Sequence, residues 1–143
     1  MPDIQQGYQS GIGEAMNGMI ADASLRDAAS RQVEGGDIGW GIVVSQGTAD
    51  DGIVIGGDAP IGITVADRTR LADKYVTGET ASVLRTGAIW VTVYEAVNAN
   101  DAVLYKEADG TCGKTAGAGI AALPNAVYET SAALGGLARV RIR

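Results

Sequence analysis

From Ile38 to the C-terminus, apolar and polar or small positions alternate in short runs, the period-two pattern of half-buried strands. Ile38, Trp40, Ile42 and Val44 alternate with Gly39, Gly41 and Val43. Asp50-Asp51-Gly52 marks a turn, Ile53-Val54-Ile55 a second short strand, and Gly56-Gly57-Asp58 its end. Ile61, Ile63 and Val65 then alternate with Gly62, Thr64 and Ala66. A turn at Thr77-Gly78-Glu79 precedes a strand from Ala81 to Leu84, and Gly87 is expected to break the chain before the next, from Ala88 to Ala96. In that strand Ile89, Val91 and Val93 share one face, and Trp90, Thr92 and Tyr94 the other. A turn from Asn98 to Asp101 leads to a strand from Ala102 to Lys106, and Asp109-Gly110 is a hairpin signal. The cleanest alternation comes last: Ala138, Val140 and Ile142 against Arg139, Arg141 and Arg143. Closely spaced strands with turns between them predict an all-β body, a small jelly roll, barrel or sandwich, over residues 38–143.

The first 37 residues carry no such pattern. Glycine and polar residues mix through Gly18, and Gly35-Gly36 reads as a hinge. Ser24 with Asp27 three residues on resembles a capping box, which permits a short helix from Leu25 to about Arg31. Its apolar face, Leu25, Ala28 and Ala29, is too small to stand alone. Residues 1–37 are therefore read as an extended N-terminal arm with little helix, of the kind laid on a partner.

Composition sharpens this picture. Glycine makes up 21 of 143 residues, about double the usual share, and there is no Phe. A core built from Val, Ile, Leu and Ala is expected, which suits narrow, tightly spaced sheets, with glycine at turns and close backbone approaches. The net charge is −6, and the arm holds six acids against two bases. That balance argues against nucleic-acid backbones and anionic membranes, both of which require clustered Lys and Arg. Cys112 is the single cysteine, which rules out an internal disulfide and a thiolate metal cluster. It is expected at a hairpin tip, as an incidental turn residue or a reactive thiol. The opening residues lack the basic and apolar regions of a signal peptide, and no apolar run reaches membrane-spanning length. The expectation is a cytoplasmically made chain, or part of a particle assembled there.

Candidate chemistry is thin. With no histidine, Ser-His-Asp, Cys-His and HExxH arrangements are excluded. Gly11-Ile12-Gly13 starts like a dinucleotide fingerprint but lacks both the third glycine and a preceding strand. Asp50-Asp51 and Asp58 offer carboxylates for calcium or acid/base work, yet Asp beside Gly is ordinary turn chemistry. Asn98, Asn100 and Asp101 begin a calcium loop that its later positions do not continue. No catalytic, cofactor or metal site is assigned. Trp90 and Tyr94 form either a sugar-stacking or protein-contact face or the inner layer of a second sheet. Arg139, Arg141 and Arg143 either dock an acidic arm of a neighbouring subunit or solvate an edge strand.

Several segments together resemble the head decoration (cement) proteins of tailed bacteriophages. They are Gly18-Met19-Ile20-Ala21-Asp22, Gly62-Ile63-Thr64-Val65-Ala66-Asp67-Arg68, the run from Tyr75 through Gly87, Ile89-Trp90-Val91, Glu95-Ala96-Val97, Asp101-Ala102-Val103 and Gly135-Gly136-Leu137-Ala138-Arg139-Val140-Arg141. Their order and spacing carry the likeness, which covers the chain from about Gly18. The resemblance implies a non-enzymatic β-rich virion protein on the outside of the phage head, usually a homodimer or homotrimer. It implies bridging of neighbouring major capsid protein subunits after the shell expands. No cofactor, nucleic acid or membrane enters. On that reading the arm, which spans roughly 120 Å at about 3.3 Å per residue, anchors through Tyr8, Ile12, Met16, Met19, Ile20 and Leu25. The faces bearing Trp90 and Tyr94, and Arg139 and Arg141, are further candidate contacts. A carbohydrate-binding module using the Trp90–Tyr94 face, a carboxylate-only glycan hydrolase, and a neck or tail protein are the competing readings.

Overall fold

A computed structural model describes residues 15–21, 26–67, 69 and 73–143. The described residues contain eleven strands and no helix. In chain order these are β1 (Asp27–Val33), β2 (Ile38–Gly39), β3 (Val43–Gln46), β4 (Gly52–Ile55), β5 (Pro60–Thr64), β6 (Lys74–Tyr75), β7 (Thr80–Thr92), β8 (Ala102–Lys106), β9 (Cys112–Gly113), β10 (Ile120–Tyr128) and β11 (Leu137–Ile142). The all-β expectation holds, as a closed barrel with a second sheet attached.

The long strand β7 organises both parts. Its first half pairs antiparallel with β1 on one side and with β5 on the other. β5 pairs with β3, β3 with β4, and β4 runs parallel to β1, so the ring β1-β4-β3-β5-β7 closes on itself. Closure removes the open edges on which a sheet would otherwise aggregate. Beyond Thr86 the partners of β7 change. Residues 87–92 pair with β11, and the sheet continues through β10, β8 and β9. Val93 bridges back to Cys112, which brings the far strand of this sheet round to the end of β7.

Two cores follow from this arrangement. Val33, Ile38, Trp40, Val44, Ile53, Tyr75, Ala81 and Val83 cluster together, and the inward residues of β3, β4 and β7 fill the barrel with them. Val43, Ile63 and Leu84 belong to the other cluster, where they meet Ile89, Val91, Tyr105, Tyr128, Val140 and the other buried residues of the second sheet. Adjacent residues Val43 and Val44 thus serve different cores, as strand pleating requires. Burying such side chains stabilises by about 1.5–3 kcal/mol each, and the core is not purely aliphatic as expected, because Trp40, Tyr75, Tyr105 and Tyr128 are buried within it.

Two sequence expectations are corrected. The helix suggested from Leu25 to about Arg31 is instead strand: Asp27–Val33 is β1, part of the barrel wall. Leu25 lies outside the described residues. Hydrogen bonding to β7 and β4 supplies the stabilisation that its exposed side chains do not. The arm boundary at residue 37 therefore does not separate free chain from body. Gly87 does not end a strand either; β7 runs through it and changes partners there.

Candidate functional site

Part of the arm is built into the body. Ile20 bridges antiparallel to Ile89, the Trp90 amide donates to Met19 O, and the Ala21 amide donates to Ala88 O. Gly18 donates to Trp90 O and accepts from the Ala66 amide. Asn17 clamps the turn: its Oδ1 accepts from the Thr92 amide at 3.0 Å and its Nδ2 donates to Trp40 O at 2.6 Å. Residues 17–21 therefore flank the second half of β7 as β1 flanks the first. The other hydrogen-bonded neighbour of this half, β11, lies on the opposite side of β7.

The outer face of this sheet gathers four of the candidate contact residues. Met19 pairs with Trp90 through the backbone, and Trp90 stands opposite Arg139 in the β7–β11 register. Arg141 is opposite Ala88 on one side and Val127 on the other. Directly opposed residues share a face, so Met19, Trp90, Arg139, Arg141 and Val127 form one partly exposed surface. Two guanidiniums share a single carboxylate there. Arg141 Nε donates to Glu129 Oε2 at 3.1 Å, and Arg139 Nε lies 2.9 Å from Glu129 Oε1, an ion pair whose geometry is not that of a hydrogen bond. This trio carries a surplus positive charge on an otherwise acidic protein. The arginines are thus neither a bare solvated stripe nor a set of unpaired anion ligands.

The remaining candidates separate. Met16 packs against the barrel core and Ile20 against the second core, so both are at least partly occupied by the chain's own body. Tyr8, Ile12 and Leu25 lie outside the described residues. Tyr94 lies beside β8 and β9. It packs on Gly113, and the Lys106 ammonium sits 4.3 Å from its ring centroid. Burial and the neighbouring Glu95 raise the pKa of the Tyr94 hydroxyl. Tyr94 is thus held by Gly113 and Lys106 of its own chain, whereas Trp90 is paired with Met19 and Arg139.

The carboxylates that resembled chemistry organise loops. Glu34 accepts from the Thr48 and Ala49 amides, each at 3.1 Å. Glu95 accepts from the Lys114 and Thr115 amides and from the Thr115 hydroxyl, and the hydroxyl bond above all keeps its pKa low. Asp101 caps the turn at Asn98 by accepting its amide at 2.8 Å. Asp109 is pushed up by partial burial, but the Thr111 hydroxyl and amide outweigh that and hold its pKa below the usual range. Asp50, Asp51 and Asp58 are exposed, and the Asp50 carbonyl accepts from the Arg31 and Gln46 side chains. No group of three or more metal-ligating side chains occurs among the described residues.

Cys112 is corrected from turn to core. It lies in β9, fully buried among Tyr105, Tyr128 and Val93, and burial pushes its thiol from 9.0 up to about 12. Such a thiol is a small apolar filler and a poor nucleophile. The turn itself falls before it, at Glu107-Ala108-Asp109.

Residues 4–143 match the family described as structural cement protein (E217 gp24/Pam3 gp6). No curated protein sequence matches the chain. A chain from the capsid of Myoviridae phage XM1 is similar in structure, with TM-score 0.79 and 19% identity over 100% of this chain and 98% of that one. The N base of the head fibre gp8.5 in bacteriophage phi29 is similar with TM-score 0.55 and 16% identity, over 83% of this chain and 95% of that one.

Proposed function

The chain belongs to the phage structural cement protein family, and from that premise we propose that it decorates the outer surface of the expanded head and bridges neighbouring major capsid protein subunits. A structural role in the virion is common ground for the family. The observation that carries the finer reading is that the family match spans both the arm and the double-sheet body, residues 4–143. It is supported by the loop-organising use of the carboxylates and by the buried, unreactive thiol, which leave a shape-building molecule. The proposed partners are the major capsid protein and further copies of this chain as a homodimer or homotrimer. Assembly takes place in the host cytoplasm.

The mechanism is linkage. A protein that binds the expanded lattice but not separated capsomers stabilises the lattice by RT ln(1 + [L]/Kd) per site. Several modest contacts made by one oligomer combine through effective concentration. Within this reading, Tyr8 and Ile12 are the arm's contacts with the shell. The face bearing Met19, Trp90, Arg139 and Arg141 supplies a second contact, polar at its edge and apolar at Trp90.

Thermal rupture of DNA-filled heads tests the bridging. Heads saturated with the chain should release DNA at a higher temperature than bare heads, and a variant lacking residues 1–14 should fold normally but protect less. Equal rupture temperatures with and without bound chain would refute bridging.

A further inference from the structure

We infer that two copies of this chain join edge to edge through β1, as antiparallel strands related by a two-fold axis at Ala29; this rests on the decoration reading above, whose contact between copies it specifies. Over most of its length β1 has a neighbour on one side only. Residues 27–32 pair with β7, whereas β4 meets β1 at Gln32 and Val33. Among the described residues no strand pairs with the other edge of residues 27–31. The neighbouring bonds fix where the backbone groups point. The Val33 amide donates to Glu79 O on the β7 side, and the Gln32 and Glu34 amides donate to Asp51 O and Ile53 O on the β4 side. Alternation along the strand then turns the amides and carbonyls of Ala28 and Ser30 away from β7, and both residues are exposed. Such a row of backbone groups is a template for another extended strand.

The residues along this edge complement themselves. A two-fold contact requires that one residue meet a second while the second meets the first. With the axis at Ala29, Ala28 stands opposite the partner's Ser30, and the two exchange amide-to-carbonyl bonds. Asp27 stands opposite the partner's Arg31, and Arg31 opposite the partner's Asp27, so each charge meets its opposite. Arg31 already leans to this side, since its guanidinium donates to Asp50 O in the turn before β4. Asp27 also holds Arg85 at 2.7 Å within its own chain, and one carboxylate can serve two guanidiniums, as Glu129 does for Arg139 and Arg141. An axis at Ser30 would instead set Arg31 against Ala29 and leave both charges unmatched across the contact. The side chains between the charges, Ala28, Ala29 and Ser30, are small, so nothing bulky holds the strands apart.

The contact is short and closes on itself. Beyond Arg31 the turn before β4 covers the edge, through the bond from the Gln32 amide to Asp51 O. A two-fold pairing uses the β1 edge of both copies, so it stops at two. An edge from Asp27 to Arg31 falls well short of the roughly 800 Å² per partner of a stable interface. The pair is therefore weak in free solution and favoured on a particle, where bound neighbours hold each other at high effective concentration. Bonds between copies then add to those that each copy makes with the shell.

Full-length Ala29→Cys, bound to expanded heads and mildly oxidised, tests the axis. Opposed residues at a non-hydrogen-bonded position have Cα atoms about 4.5 Å apart, within reach of a disulfide, and Cys112 is buried and does not compete. Ala29→Cys should give a cross-linked dimer, and neither the wild type nor Val76→Cys, an exposed position in another turn, should do so. Added singly to Ala29→Cys, Asp27→Arg and Arg31→Glu each set like charges against each other and should cut the cross-linked yield about tenfold. An equimolar mixture of the two should restore it, because the mixed pair regains an opposite charge at each position; urea midpoints check that both variants fold. Ala29→Cys that binds heads without cross-linking overturns the inference and leaves the decoration reading standing. Charge variants that cross-link as well alone as mixed overturn it too. Wild-type chain that ignores heads overturns both readings.

Discussion

Gly18→Ala is the sharpest probe of whether the arm belongs to the fold. Gly18 has φ +82°, a left-handed conformation in which an L side chain costs about 1–2 kcal/mol. A Cβ there would lie 2.8 Å from Trp40 Cβ and 3.0 Å from the backbone nitrogens of Ala66 and Gly41. None of these atoms is the free end of a flexible side chain, so the backbone must shift, at a further cost of about 1–3 kcal/mol. The expected loss is about 2–5 kcal/mol. Gly78→Ala is the matched control, because Gly78 has φ +91° and nothing within 4 Å of an added Cβ; it should lose only the conformational part, about 1 kcal/mol. Urea unfolding followed by tryptophan fluorescence measures both, with the slope of the transition expected to stay unchanged. Hydrogen exchange adds the local view: the Trp90 amide, bonded to Met19 O, should exchange faster in Gly18→Ala and not in Gly78→Ala. Equal losses in the two variants, with Trp90 protection unaltered, would refute the placement of residues 17–21 against β7.

Other expectations follow from the same coordinates. Cys112 should resist alkylation at pH 8 in the folded chain and react at once in urea. Because its folded pKa is raised from 9.0 to about 12, its contribution to stability is complete below about pH 9 and should be lost as pH rises towards 12, a fall that Cys112→Ala should blunt. Glu129→Gln leaves Arg139 and Arg141 facing each other without their shared carboxylate. It should cost about 1 kcal/mol in thermal unfolding, since the group is partly exposed, and that cost should shrink in an Arg141→Gln background. Tyr128→Phe removes the donor to Gly113 O, 2.7 Å away in the buried core, and should destabilise by about 1–2 kcal/mol.

What was legible in the sequence depended on which force holds each segment. β11 alternates cleanly because Ala138, Val140 and Ile142 are buried while its arginines point outwards. The same holds for residues 89–93 of β7. β1 was hidden, because only Val33 among its seven residues is buried. It is a strand by backbone pairing on both sides, which leaves no hydrophobic signature. The alternation from Ile38 to Val44 looked continuous, yet Trp40 and Gly41 form a turn that separates β2 from β3. Trp40 still reaches the barrel core, so its apolar signal reported burial correctly and strand wrongly. Cys112 was misplaced by its glycine neighbours; the turn sits earlier, at Glu107-Ala108-Asp109, and Gly113 is glycine because Tyr94 packs 2.4 Å from where its Cβ would be.

The candidate contact surface shows a similar division. Trp90 and the arginines announced themselves by alternation, but their meeting with Met19 required long-range pairing between the arm and β7. Glu129, which ties the arginines together, had no local signal.

The most direct test of the central claim is quantitative co-sedimentation of the purified chain with expanded, undecorated heads of its own phage, with unexpanded proheads as the comparison. Saturable binding to expanded heads, at hundreds of copies per particle and with proheads left bare, is the predicted result. Equal binding to both particles, or binding to neither, would contradict it.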